Sequence, residues 1–174
     1  MAKLCGAISV CDLNIHDAKI FTKKDGIVID TFNVSDFRNN ALVNNDKYDQ
    51  IKKTITKAIT GDLNLEKEFQ KFKSKWKRIF NTQKINTKNI EIVFEEHEKL
   101  NIIDIHSPDK IGLLYTITNK MAELGLTIAF AKISTKEDLI IDAFYIQKNN
   151  GLKLRKSEYG FIKSELTEEI KKII

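Results

Sequence analysis

The chain repeats itself. One segment reads Leu13-Asn-Ile-His-Asp-Ala-Lys-Ile-Phe-Thr-Lys-Lys-Asp25 and continues to Asp30-Thr-Phe-Asn-Val34. A second reads Leu126-Thr-Ile-Ala-Phe-Ala-Lys-Ile-Ser-Thr-Lys-Glu-Asp138 and continues to Asp142-Ala-Phe-Tyr-Ile146. About half the aligned positions are identical, with one residue deleted at the turn. A shared Ala-Lys-Ile-x-Thr-Lys core and a later Asp-x-Phe identify a duplicated structural unit, and a duplication constrains the fold more than composition does.

Both copies predict the same elements. The β-rich stretches Asn14–Thr22 and Ile27–Val34 flank Lys-Lys-Asp-Gly, a hairpin turn signal; the second copy predicts strands Thr127–Thr135 and Leu139–Gln147. A helix precedes each hairpin. Leu113, Leu114, Ile117, Met121 and Leu124 recur at helical spacing, with Asp109 as N-cap after Pro108 and Gly125 as the left-handed stop. Leu4, Ile8 and Cys11 trace the corresponding stripe, with Asp12 at the stop. A helix also follows each hairpin, on Tyr48, Ile51, Ile55, Ala58 and Ile59 closed by Gly61, and on Ile162, Leu166, Ile170 and Ile173. Between the copies lie a basic amphipathic helix over 65–80, with Phe69, Phe72, Trp76 and Ile79 on its apolar side, and two strands, Ile90–Glu95 and Lys99–Ile105. The expected fold is α+β: two ferredoxin-like βαββαβ units with antiparallel sheets, spanning 1–95 and 99–174. Aligned on the second copy, Met1 falls at Leu114, inside the first helix. The first unit is therefore expected to lack its N-terminal strand, and the chain to be a fragment of a longer protein.

The stretch Leu100-Asn-Ile-Ile-Asp-Ile-His-Ser-Pro-Asp-Lys-Ile-Gly-Leu-Leu-Tyr115 resembles the opening strand and loop of the ACT family, with Ile111 where that family usually has proline. The continuations Leu126-Thr-Ile-x-x-Ala-Lys-Ile-x-Thr135 and Ile141-Asp-x-Phe-Tyr-Ile146 are similar to one branch, the paired ACT modules of PII uridylyltransferases/uridylyl-removing enzymes. So is the first copy, through Leu13-Asn-Ile-x-x-Ala-Lys-Ile, Asp25-Gly26 and Asp30-x-Phe32. The resemblance implies a regulatory region that senses a free amino acid, glutamine first, in nitrogen regulation. It also implies upstream nucleotidyltransferase and hydrolase domains, a cytoplasmic location, and a possible homodimer through sheet pairing. The alternative is a stand-alone ACT-domain or ferredoxin-like nucleic-acid-binding protein.

Ser107, Asp109, Lys110, Gly112, Leu113 and Leu114 form the candidate ligand site. A short loop enters a helix whose unpaired N–H groups attract a carboxylate, and Asp109 could meet an ammonium. The family's habit of placing ligands between paired modules brings Asn14 and Ile15 across from this loop.

No catalytic, metal or cofactor arrangement emerges from the residues. His16-Asp17 is a lone pair in a strand, and His97 reads as a turn residue. Cys5 and Cys11 point to different faces of one helix. Asp30 and Asp142 recur at equivalent positions inside apolar strands and read as structural. The chain itself is not expected to be an enzyme. A net charge of +5 is compatible with nucleic acid, but the aromatic ribonucleoprotein motif is missing from both copies. No run of apolar residues is long enough to span a membrane.

Overall fold

A computed structural model describes residues 1–23, 27–76, 90–136 and 139–174. The lysine-rich turn after Lys23, Ile79 and the end of the basic helix fall outside the described residues. The first unit is α1 (Ala2–Val10), β1 (Leu13–Thr22), β2 (Val28–Asp36) and α2 (Tyr48–Thr60). Next come α3 (Leu65–Lys75) and β3 (Glu91–Glu96). The second unit is β4 (Asn101–Pro108), α4 (Leu113–Glu123), β5 (Leu126–Lys136), β6 (Leu139–Lys148) and α5 (Lys156–Lys171).

All six strands form one antiparallel sheet in the order β2-β1-β5-β6-β4-β3. The expected pair of sheets is thus fused edge to edge. Within the second unit β3 pairs with β4 and fills the outer place of a ferredoxin-like sheet. Both hairpins carry a β-bulge at the same point of the repeat. The register slips between Ile15 and Asp17 in one and between Ile128 and Phe130 in the other, leaving His16 and Ala129 as the extra residues. The bulge also explains why Ala129 is half-exposed while Ala131 is buried.

The units meet through β1 and β5. Their ladder runs Asp17↔Ser134, Ala18↔Ile133, Lys19↔Lys132, Ile20↔Ala131 and Phe21↔Phe130. Lys19 and Lys132 are equivalent residues of the repeat, and each flanking pair maps onto another when the copies are exchanged. The junction is therefore a local two-fold inside one chain, the geometry of an isologous dimer interface.

Alternation along the strands sends Ala18, Ile20, Ile92, Ile103, Ile105, Ala131, Ile133, Phe144 and Ile146 into one core under the helices. From α4 and α5 the core receives Leu113, Ile117, Met121, Ile162, Leu166 and Ile170. Buried Asn101 is satisfied: its amide donates to Tyr159 Oη at 2.7 Å and its carbonyl accepts from the Leu154 N–H at 2.7 Å. Two expected stripes change. In α1 the buried residues are Cys5 to Ser9, because the helix is covered by α2, α3 and α4 and needs small side chains all round. In α2 only Ala58 is buried, while Tyr48 and Ile59 stand in solvent.

The helix ends show how local chemistry sets the chain path. Asp12 takes φ 59° after α1, and Gly61 and Gly125 are also left-handed. The Asp12 carboxylate accepts from Trp76 Nε1 at 2.8 Å, from Lys75 Nζ at 2.5 Å and from Arg38 at 3.2 Å, tying the end of α1 to the end of α3. Burial raises its pKa, but the bonds from Lys75 and Trp76 outweigh this and hold it below the usual carboxylate value. No described helix is long and apolar enough to cross a membrane.

α1 approaches α4 through Gly6, where an added Cβ would lie 2.8 Å from the Tyr115 ring. Gly6→Val is expected to force the helices apart and cost about 1–3 kcal/mol, read as a lower urea midpoint at unchanged slope.

Candidate functional site

The loop after β4 turns sharply before α4 begins. Gly112 is the N-cap residue, at φ 80°, and no side chain caps the helix. This corrects the expected role of Asp109: the N-cap position belongs to Gly112, three residues later. Leu113 N–H donates to Lys110 O at 2.9 Å and Thr116 N–H to Gly112 O at 2.9 Å. The first-turn amides of Leu114 and Tyr115 have no carbonyl within the helix to receive them, as at any helix start.

Gly112 is required twice over. Besides its positive φ, a Cβ there would lie 2.5 Å from Phe69 Cζ. Phe69 in turn packs edge-on to Tyr115 with ring centroids 4.7 Å apart. Bulk at Gly112 therefore disturbs the packing of α3 on α4.

A small cavity opens beside this loop, where the two units meet. It is lined by Ser9, Leu13, Asn14 and Ile15 of the first unit and by Asp109, Lys110, Gly112, Leu113, Leu114, Ile133 and Asp142 of the second. Asn14, Ile15, Asp109, Lys110, Gly112, Leu113 and Leu114 are thus brought together across the β1–β5 junction. Ser107 is not among the lining residues; as the last inward position of β4 it is fully buried. The cavity holds about 20 Å³, room for one water- or ammonium-sized group and not for a whole amino acid. Lys110 is only 7% exposed, and burial lowers its pKa against the raising effect of Asp109. Larger clefts exist elsewhere, including one of about 450 Å³ between α3, α4 and α5. Two of its lysines are engaged in ion pairs: Lys120 with Glu165 at 2.9 Å and Lys172 with Glu169 at 2.7 Å.

Asp142 is the charged group among the four lining residues that the sequence did not assign to the site, the others being Ser9, Leu13 and Ile133. It is 1% exposed, and neither carboxylate oxygen completes a hydrogen bond. Burial pushes its pKa up to about 8; the nearby Ser134 backbone N–H tempers the shift and Asp109 adds to it. Asp30, its repeat equivalent, also has both oxygens buried and unpartnered, and burial raises it too. Both carboxylates lie close enough to Cys5 to add to the rise of its thiol, which burial carries to about 12. The twin aspartates thus both act on Cys5 of α1, and of the two Asp142 lines the cavity. Their recurrence inside apolar strands was the signal that could have placed them.

His16 Nε2 is hydrogen-bonded to Ser35 Oγ at 2.7 Å. His97 lies in the turn between β3 and β4, its N–H donating to Leu100 O at 3.1 Å. Among the described residues no group of His, Cys, Asp and Glu could hold a metal ion.

No family model matches the chain. Curated relatives do. It is 31% identical over 157 residues to the bifunctional uridylyltransferase/uridylyl-removing enzyme of Azospirillum brasilense. It is 29% identical over 154 residues to that of Rhodospirillum rubrum, and 27% over 152 residues to that of Ruegeria pomeroyi. The chain resembles a segment of the bifunctional uridylyltransferase/uridylyl-removing enzyme. In the first two of these relatives the match covers 88% of this chain and 16% of the relative; the chain spans about one sixth of their length.

Two substitutions separate fold from site. Gly112→Ala is expected to lose about 2–4 kcal/mol, combining left-handed backbone strain with the clash on Phe69, measured by denaturant unfolding. Asp142→Asn is expected to change how stability depends on pH. The carboxyl titrates near 4 when unfolded and at about 8 when folded, so folding takes up a proton between those values. Stability should then fall as pH rises across that window, by up to about 1.4 kcal/mol per pH unit from this group. The asparagine variant should lack that share of the slope; an unchanged thermal-melt profile from pH 5 to about 8 would contradict this.

Proposed function

We propose that this chain is the amino-acid-sensing region of a uridylyltransferase/uridylyl-removing enzyme, built from two ACT modules, with glutamine as the first ligand to try. The observation that carries this reading is the cavity at the junction of the units, where a helix N-terminus and a buried, unpartnered carboxylate face each other. A free amino acid offers one charge to each. The names of the relatives support the parent enzyme, and the ferredoxin-like fold supports the ACT assignment.

On this reading the cavity, at about 20 Å³, is the closed form of the site. Lys110 and the loop through Gly112 must swing outward to admit a ligand. Binding would then favour one packing of the units over another, and attached catalytic domains would feel the difference; a ligand shifts such an equilibrium only by its differential affinity for the two states. The substrate of those domains would be the nitrogen signal protein PII. A homodimer would form most readily along β2, an outer strand whose Val28 and Ile29 are 52% and 55% exposed.

Thermal melts with each of the twenty amino acids test the reading. A ligand at about 100 times its Kd adds roughly 2.7 kcal/mol to the folded state, so one or a few amino acids should raise the Tm by several degrees. Asp109→Ala should blunt the shift while leaving the ligand-free melt intact. No shift with any of the twenty would end the proposal.

A further inference from the structure

Asp142 deserves a role that its surroundings in the chain do not supply. It sits on β6, facing the helices, with both oxygens buried and without a hydrogen bond. The charged and titratable groups beside it are Cys5 from α1 and, lining the same cavity, Asp109 and Lys110 from the loop before α4; its repeat partner Asp30 on β2 also acts on Cys5. Of these, Asp109 disfavours its ionisation and Cys5 is held as a neutral thiol. An isolated buried carboxylate is destabilising unless it is neutral or paired. It borders a space of about 20 Å³, the size of one small polar group. On the other side of that space lies the start of α4, which favours negative charge.

We propose that Asp142 is the counter-charge for an ammonium group, so that the site recognises its ligand as a zwitterion. The proposal rests on the amino-acid-sensing reading above. The ligand's carboxylate would take the first-turn amides of α4, and its ammonium would fill the space beside Asp142. In the ligand-free chain the Asp142 carboxyl is protonated near neutral pH. When the ammonium arrives, the O–H bond of Asp142 breaks, its proton passes to solvent, and the carboxylate accepts N–H donors from the ligand, which keeps its own charge. Binding is thereby coupled to release of one proton. The same arrangement selects against molecules that lack an amine: an uncharged group in that space would leave Asp142 neutral and one of its oxygens without a partner. This assigns Asp142 as the positioning group for the ligand's amine and predicts a different selectivity from a site that reads only the carboxylate.

Isothermal calorimetry on the full chain tests this. The probes are the tightest-binding amino acid of the twenty, beginning with L-glutamine, and the same molecule without its amine, which for glutamine is 4-carbamoylbutanoate. Titrations in buffers of different ionisation enthalpy give the protons exchanged. The expected result near pH 7 is release of about one proton per ligand, fading as the pH is raised above 8. The des-amino compound should bind at least about tenfold more weakly, since a charge-assisted hydrogen bond is lost. Asp142→Asn should abolish proton release and weaken binding of the amino acid by a similar factor. Circular dichroism and the ligand-free melt, expected at or above the parent's, show that this variant is folded. Should it fail to fold, proton release by the unaltered chain still decides. Amino-acid binding without proton release, with the des-amino compound equally tight, overturns the role of Asp142 and leaves the sensing reading in place. No binding by any amino acid overturns both.

Discussion

The pairing of β1 with β5 governs the rest of the molecule. Each ferredoxin-like unit has an outer strand at this position, and an outer strand is a row of unsatisfied amides and carbonyls. Here the two rows satisfy one another about a local two-fold at Lys19 and Lys132. The apposition of two lysines is itself unfavourable, but both side chains are exposed, where water screens them. What the ladder supplies is placement. It sets α1 of one unit beside α4 of the other, closely enough to require Gly6. It also brings the start of β1 to the loop before α4. The cavity exists only because of that apposition.

A chain selected for stability alone would not keep two aspartates under its helices. Replacing a buried, unpaired carboxyl with an apolar residue of similar size usually costs nothing and often stabilises. Asp142 stays folded by remaining protonated, which shifts the cost onto the pH dependence of folding. Asp30 repeats the arrangement in weaker form, being half-buried. Strain and unsatisfied polar groups of this kind gather where a ligand supplies the missing partner. For Asp142, which lines the cavity, the proposed ammonium would be that partner; Asp30 does not line it.

Much of this was legible in the chain. The repeat located the hairpins within one or two residues, and even the bulge at His16 and Ala129 follows the alignment, since both copies carry the extra residue at one point. Stop signals at Asp12, Gly61 and Gly125 were readable because few residues accept a positive φ. Other features were not readable, for identifiable reasons. Asp109 looks like an N-cap because it follows proline and precedes an apolar stripe, yet the loop uses Gly112 as the cap. The burial of α1 on several sides depends on a neighbouring unit that helical periodicity cannot see. Most of the cavity lining could be inferred by analogy with paired modules, but Asp142 could not: alternation marks it as inward-facing without saying that a helix start lies opposite.

The loop before α4 is not mechanically independent of its surroundings. Phe69 occupies the space that a side chain at residue 112 would need, and the same ring packs edge-on to Tyr115, which closes over Gly6. A displacement of Gly112 by even a fraction of an ångström must therefore be taken up by Phe69, since packed interiors have no slack to absorb it. Phe69 belongs to α3, whose far end is fastened to Asp12 by Lys75 and Trp76. Asp12 closes α1, and α1 lines the cavity through Ser9. The path from loop to α3 to Asp12 to α1 returns to the site from the opposite wall. Opening the cavity on one side thus loads the helix that bounds it on the other, and a ligand that holds the loop outward would change the seat of α3 as a direct consequence of packing.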